Sequence, residues 1–221
     1  MEMKGSYLTE ISHEREELAF QYPAFKGTYG NVAEQIDNAG LKRPNSPETA
    51  SLVYETWKNS KEQYSSEIIS ILKDNWLWEF IGNLYLPKSN EEINNGVILE
   101  DNPKIENGKL VMDKNSLIKR LQENDSNVKF VPFGFKTGNQ SIKELEENSY
   151  IIARYGKEGA EKIAEIASKY KSQPYIHGFN SVDEEKIKMS ILGEGWNFNK
   201  GLFVYGNWGG GSEGCVFGIL K

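Results

Sequence analysis

The chain has 221 residues and a net charge of −6, with 38% apolar, 26% charged and 12% aromatic residues. That balance speaks against a disordered chain and suits one domain with a full core. Its 26 basic residues include only four arginines, Arg15, Arg43, Arg120 and Arg154. Duplex nucleic acid and anionic bilayers select clustered Lys and Arg, so composition speaks against a nucleic-acid or membrane partner.

The first part, 1–75, reads as mainly helical. Leu8, Ile11 and Leu18 form a thin stripe on a charged helix from Ser6 to Phe20. His13 and Glu17 would then stand one turn apart. That spacing suits a metal, but Glu17 occupies the place where a zinc-protease pattern needs its second histidine, so a solvated charged face is the expectation and no metal is expected. Thr28 opens a helix through Ala39 that stops at Gly40. Ser46-Pro47 starts another, with Ser as cap and Pro in the first turn, and puts Ala50, Val53, Tyr54 and Trp57 on one face. Tyr64, Ile68, Ile71 and Leu72 mark the next helix.

Residues 76–221 read as a sheet with inserted helices. Trp76, Trp78, Phe80, Leu84 and Leu86 alternate, as on a half-buried strand whose aromatic face meets the helix of Tyr54 and Trp57. Val97–Leu99 is a second strand. Lys104–Val111 is a hairpin turning at Asn107-Gly108, because Asn-Gly accepts the positive φ angles of a type I′ turn. A short helix carries Leu117, Ile118 and Leu121, and Val128–Phe133 is a strand. Ser141-Ile142-Lys143-Glu144 is a capping box, and Gly159–Tyr170 carries the clearest helical stripe. Pro174–Phe179 is a strand, expected parallel to Val128–Phe133 through a right-handed crossover. Ser181–Leu192 fits a helix or a strand. Leu202–Tyr205 and Cys215–Leu220 are strands around a glycine-rich loop, Gly206–Gly214. The fold class that follows is α+β: a helical N-terminal third packed on a mixed, largely antiparallel sheet, within a single domain spanning 1–221.

One cysteine cannot form an internal disulfide, and Met1–Ser6 lacks the apolar core of a signal peptide. With no run of ~20 apolar residues, a cytoplasmic protein is expected. Three groups of residues carry candidate chemistry. Cys215 with His177, oriented by Glu213 or Asp183, would serve a hydrolase or transferase, although Cys215 also reads as a buried small apolar residue. The loop from Gly134 to Ser141 joins a strand to a capped helix. Its Lys136, Thr137, Gly138, Asn139 and Ser141 would bind a small anionic ligand through helix N–H groups and one cation. Finally, the segments Gly193–Gly201 and Tyr205–Gly214 mix Trp196, Trp208, Asn and Gly, a composition that stacks a sugar or base, contacts a peptide, or simply covers a sheet end. No catalytic template and no cofactor motif is complete, so the expected function is non-catalytic binding of a ligand or a protein partner, with the Cys215/His177 enzyme as the alternative.

Overall fold

The structure, a computed structural model, describes residues 9–13, 16–195 and 200–220. It is α+β. In chain order it has strands β1 (Thr9–His13), β2 (Glu16–Phe20) and β3 (Phe25–Gly27), then helices α1 (Tyr29–Asn38), α2 (Ser46–Lys58) and α3 (Gln63–Asp74). Next come β4 (Trp76–Leu86), β5 (Gly96–Asp101), β6 (Lys104–Glu106), β7 (Lys109–Val111), α4 (Lys114–Gln122) and β8 (Val128–Pro132). The chain continues through β9 (Gly138–Asn139), α5 (Ile142–Glu146), α6 (Ser149–Ala167), β10 (Tyr175–His177), β11 (Lys186–Glu194), β12 (Leu202–Trp208) and β13 (Gly214–Val216).

Nine strands form one mixed, largely antiparallel sheet in the order β3-β13-β4-β11-β12-β10-β9, with β5 beside the second half of β4 and β8 outside β5. The long strand β4 is its axis. All eleven of its residues are buried. Leu77, Ile81 and Tyr85 point into a core shared with α2, α3 and α6, while Trp76, Trp78 and Phe80 point into a second core shared with α1. The half-buried strand expected from the sequence is therefore buried on both faces, because large apolar residues occupy both phases of its alternation. Its tryptophans meet α1 rather than the helix of Tyr54 and Trp57. The Tyr29 ring lies 5.3 Å from Trp78 and 5.1 Å from Phe80, and the Trp78 indole N–H donates to the Gly27 carbonyl at 3.0 Å.

Local signals set several helix starts. Asn45, not Ser46, caps α2: its side chain accepts from the Glu48 N–H while Glu48 accepts from the Asn45 N–H, and Pro47 sits in the first turn. Ser141 and Glu144 make the expected capping box on α5. Asn107 and Gly108 both have positive φ, 50° and 74°, and turn β6 into β7 as anticipated. The tip of that hairpin rests on the first turn of α1, where a Cβ on Gly30 would overlap the main chain of Gly108.

A further expectation fails. Ser6–Phe20 is not a helix where it is described: β1 and β2 pair antiparallel, with His13 in register with Glu16 and Ser12 with Glu17. The one-turn spacing of His13 and Glu17 is lost with it. The helical stripe was thin, and the period-two pair Leu18 and Phe20 finds a core partner instead; Phe20 is fully buried and bridges Ile219. The strand β10 runs in the same direction as β8, as expected, but the two are not neighbours in the sheet. It pairs parallel with β12 and antiparallel with β9, while β8 pairs with β5. The ambiguous stretch at 181–192 resolves as strand from Lys186. No described helix is long and apolar enough to cross a membrane.

Trp78 is 0% exposed and ties α1 and β3 to the axis strand. Trp78→Ala is expected to cost about 3–5 kcal/mol in a urea unfolding titration, the size for deleting a buried indole; a loss of under about 1 kcal/mol, typical of surface positions, would place this face in solvent.

Candidate functional site

The middle of the sheet holds a buried polar network. Arg154 on α6 and Glu79 on β4 form an ion pair with both side chains 0% exposed. Arg154 also donates to the Tyr205 carbonyl at 2.8 Å and to the Tyr150 hydroxyl at 3.2 Å, and Tyr155 donates its hydroxyl to Glu79 at 3.1 Å. The Tyr150 hydroxyl donates to the Asn83 side-chain oxygen at 2.7 Å; the Asn83 amide donates to Ser190 at 2.7 Å and to the Lys188 carbonyl at 3.3 Å. Tyr85 donates to the Gly206 carbonyl at 3.0 Å. Burial pushes the Glu79 carboxyl upward, against the pull of Arg154 and Tyr155. Burial works against the Arg154 charge too, but Glu79 and the tyrosines hold its pKa above the usual value.

These bonds fall on irregularities in β11 and β12. The register of β12 against β11 runs from Tyr205 opposite Ile191 to Trp208 opposite Met189, so Gly206 and Asn207 together face Ser190. One extra residue makes this a β-bulge. Its consequence is directional: Tyr205 and Trp208, three residues apart, both lie on the outer face of the sheet. Only glycine fits at 206, since a Cβ there would overlap the Tyr150 hydroxyl.

The bulge places Trp208 and Met189 on one wall of a cleft of about 370 Å³. Ile187 continues that wall. Thr28, Tyr29 and Gly30 of the α1 entry and Gly108, Lys109 and Leu110 of the hairpin form the other, and Gly209, Gly210 and Gly211 close the end. Gly210 and Gly211 have φ of 88° and 91°, which side chains rarely adopt. Lys109 is the one cation in this lining, and no carboxylate belongs to it among the described residues.

The residues singled out in the sequence lie elsewhere. In the Gly134–Ser141 loop, Lys136 pairs with Glu144 at 2.7 Å, and that ammonium together with the Ser141 N–H holds the Glu144 carboxyl down at about 2. Thr137 donates to Asn180 at 2.8 Å, Gly138 and Asn139 pair with β10, and Ser141 caps a helix of five residues. The loop does not line the cleft. Cys215 and His177 are not brought together. Their strands are separated by β4, β11 and β12, roughly 19 Å at ~4.8 Å per strand. Cys215 is buried, and burial pushes its thiol up. His177 stacks on Tyr205 with centroids 4.0 Å apart, in a row of rings with Tyr175 and Phe203. Trp196 lies outside the described residues. Sequence reasoning recognised the aromatic, glycine-rich Tyr205–Gly214 segment, but missed its partners at Tyr29 and Leu110, which come from 95 or more residues away in the chain. Among the described residues no group of three or more His, Cys, Asp and Glu is placed to hold a metal ion. Compared with protein-family models, curated proteins and solved structures, the chain matches none of them.

Desolvation lowers the His177 pKa to about 4, against about 6.5 in an unfolded chain. A depressed histidine pKa stabilises the fold above the unfolded value, and that contribution fades as pH falls from about 6.5 through about 4. His177→Phe should flatten this part of the stability–pH curve, and an NMR titration of wild type should show a midpoint near 4. A midpoint close to 6.5 would mean the ring is solvated.

Proposed function

We propose that the protein binds a small ligand, without transforming it, in the cleft between Trp208 and the Gly30–Gly108 contact. The observation that carries this reading is the lining itself. A space of about 370 Å³ is walled by Trp208, Met189, Ile187, Tyr29 and Leu110, and glycine backbones allow close approach. Ligand pockets typically measure about 300–1,000 Å³ and combine apolar walls with a few polar groups. General acid–base chemistry needs a group that titrates near the working pH. Among the described residues Lys109 and Tyr29 are the only ionisable side chains of this lining, and burial pushes the Tyr29 hydroxyl far above its ordinary value. An anion held at Lys136, Thr137, Gly138, Asn139 and Ser141 would first have to displace Glu144 from Lys136, so the cleft is the site favoured here.

The test uses the anionic aromatic dye 1-anilinonaphthalene-8-sulfonate on the folded protein. Wild type should bind it saturably, and Trp208→Ala should weaken binding about tenfold, the scale of losing one stacking partner. Lys136→Ala should leave it unchanged. Equal binding by wild type and Trp208→Ala, or no saturable binding, would remove the cleft as the site.

A further inference from the structure

The hairpin tip divides two clefts of opposite chemistry. On the far side of the Gly30–Gly108 contact lies a second space of about 570 Å³, which shares Thr28, Gly30 and Gly108 with the first. Its walls are polar: Asn31, Glu34, Asn38 and Asn107, with Asp37 and Arg43. The Arg43 guanidinium is engaged through two nitrogens with the Asp37 carboxylate, so among the described residues its lining offers no unpaired cation. Thr28 is exposed at the junction, and its side chain does not cap α1.

From this pairing we propose that the cleft's ligand is a neutral nucleoside. Its planar base would stack on Trp208, and its sugar hydroxyls would reach into the polar side. This rests on the ligand-binding reading above and names the ligand class. Stacking on an aromatic ring accepts any base, because every base has a π face. Side-chain amides both donate to and accept from hydroxyls, and a carboxylate accepts from them. A phosphate fits this site poorly. It would meet Glu34 and an arginine already neutralised by Asp37, and like charges without a counter-cation repel. The remaining cation, Lys109, belongs to the apolar cleft where the base would lie.

The experiment titrates adenosine, guanosine, cytidine and uridine into the full-length protein, with ribose and the matching 5′-monophosphates beside them, and reads displacement of the bound dye. At least one nucleoside should displace it, ribose alone should not, and the monophosphate should bind more weakly than its nucleoside. Glu34→Ala, an exposed helical position where folding is not at risk, should weaken the nucleoside about threefold or more and leave the dye affinity unchanged. Dye binding that no nucleoside displaces would overturn the ligand class while leaving the cleft as a binding site. A monophosphate tighter than its nucleoside, or a nucleoside affinity indifferent to Glu34→Ala, would also overturn it. Failure of the dye to bind at all would remove the underlying reading and this one with it.

Discussion

The buried Arg154–Glu79 pair is the constraint on which the rest of the arrangement hangs. Two charges have been taken out of water between α6 and the axis of the sheet. Each alone would be costly, and their attraction offsets that cost only when the geometry is good and remaining donors are used. Arg154 spends its donors on Glu79, Tyr150 and the carbonyl of Tyr205. It therefore does more than neutralise Glu79: it fixes α6 to β4 and to β12 at once. Exchanging the pair for apolar side chains of similar size could leave stability unchanged or raise it. Its role is consequently one of position, selecting a single way for the helix to sit on the sheet.

That position reaches the outer face through the backbone. The carbonyls of Tyr205 and Gly206 accept from Arg154 and Tyr85, and Lys188 and Ser190 accept from Asn83. These are the residues at which β11 and β12 lose regular register. A ladder broken by a bulge leaves backbone groups without a strand partner, and groups buried without partners are expensive. Side chains from α6 and β4 fill that gap. The bulge then turns Trp208 to the same face as Tyr205 and opposite Met189, so a polar network on one side of the sheet shapes an apolar cleft on the other.

Much of the local architecture is legible in the sequence because its causes are local. Asn107-Gly108 forms its turn since only a few residues accept positive φ, and Ser141 with Glu144 forms its box since both partners lie within four residues. The period-two pattern of Trp76 to Leu86 correctly gave a strand. The same sequence concealed what depends on distant partners. Nothing near Trp78 says that α1 rather than α2 will cover it, and nothing near Arg154 points to Glu79, 75 residues earlier. The pairing of β1 with β2 was hidden by a weak helical stripe, which pairing with the Gly218–Leu220 backbone overrides. At the site, the glycine-rich Trp208 segment was visible as composition, but the bulge at Gly206 that aims Trp208 was not.

A double-mutant cycle on the central pair tests this account most directly. Arg154→Met alone leaves a carboxylate buried without its counter-charge and should cost about 3–5 kcal/mol. Adding Glu79→Leu removes that carboxylate, so the double variant should regain most of the loss in the same urea titration, with a large coupling energy. If the two single losses simply add, the residues act independently, and the pair does not organise the sheet as described.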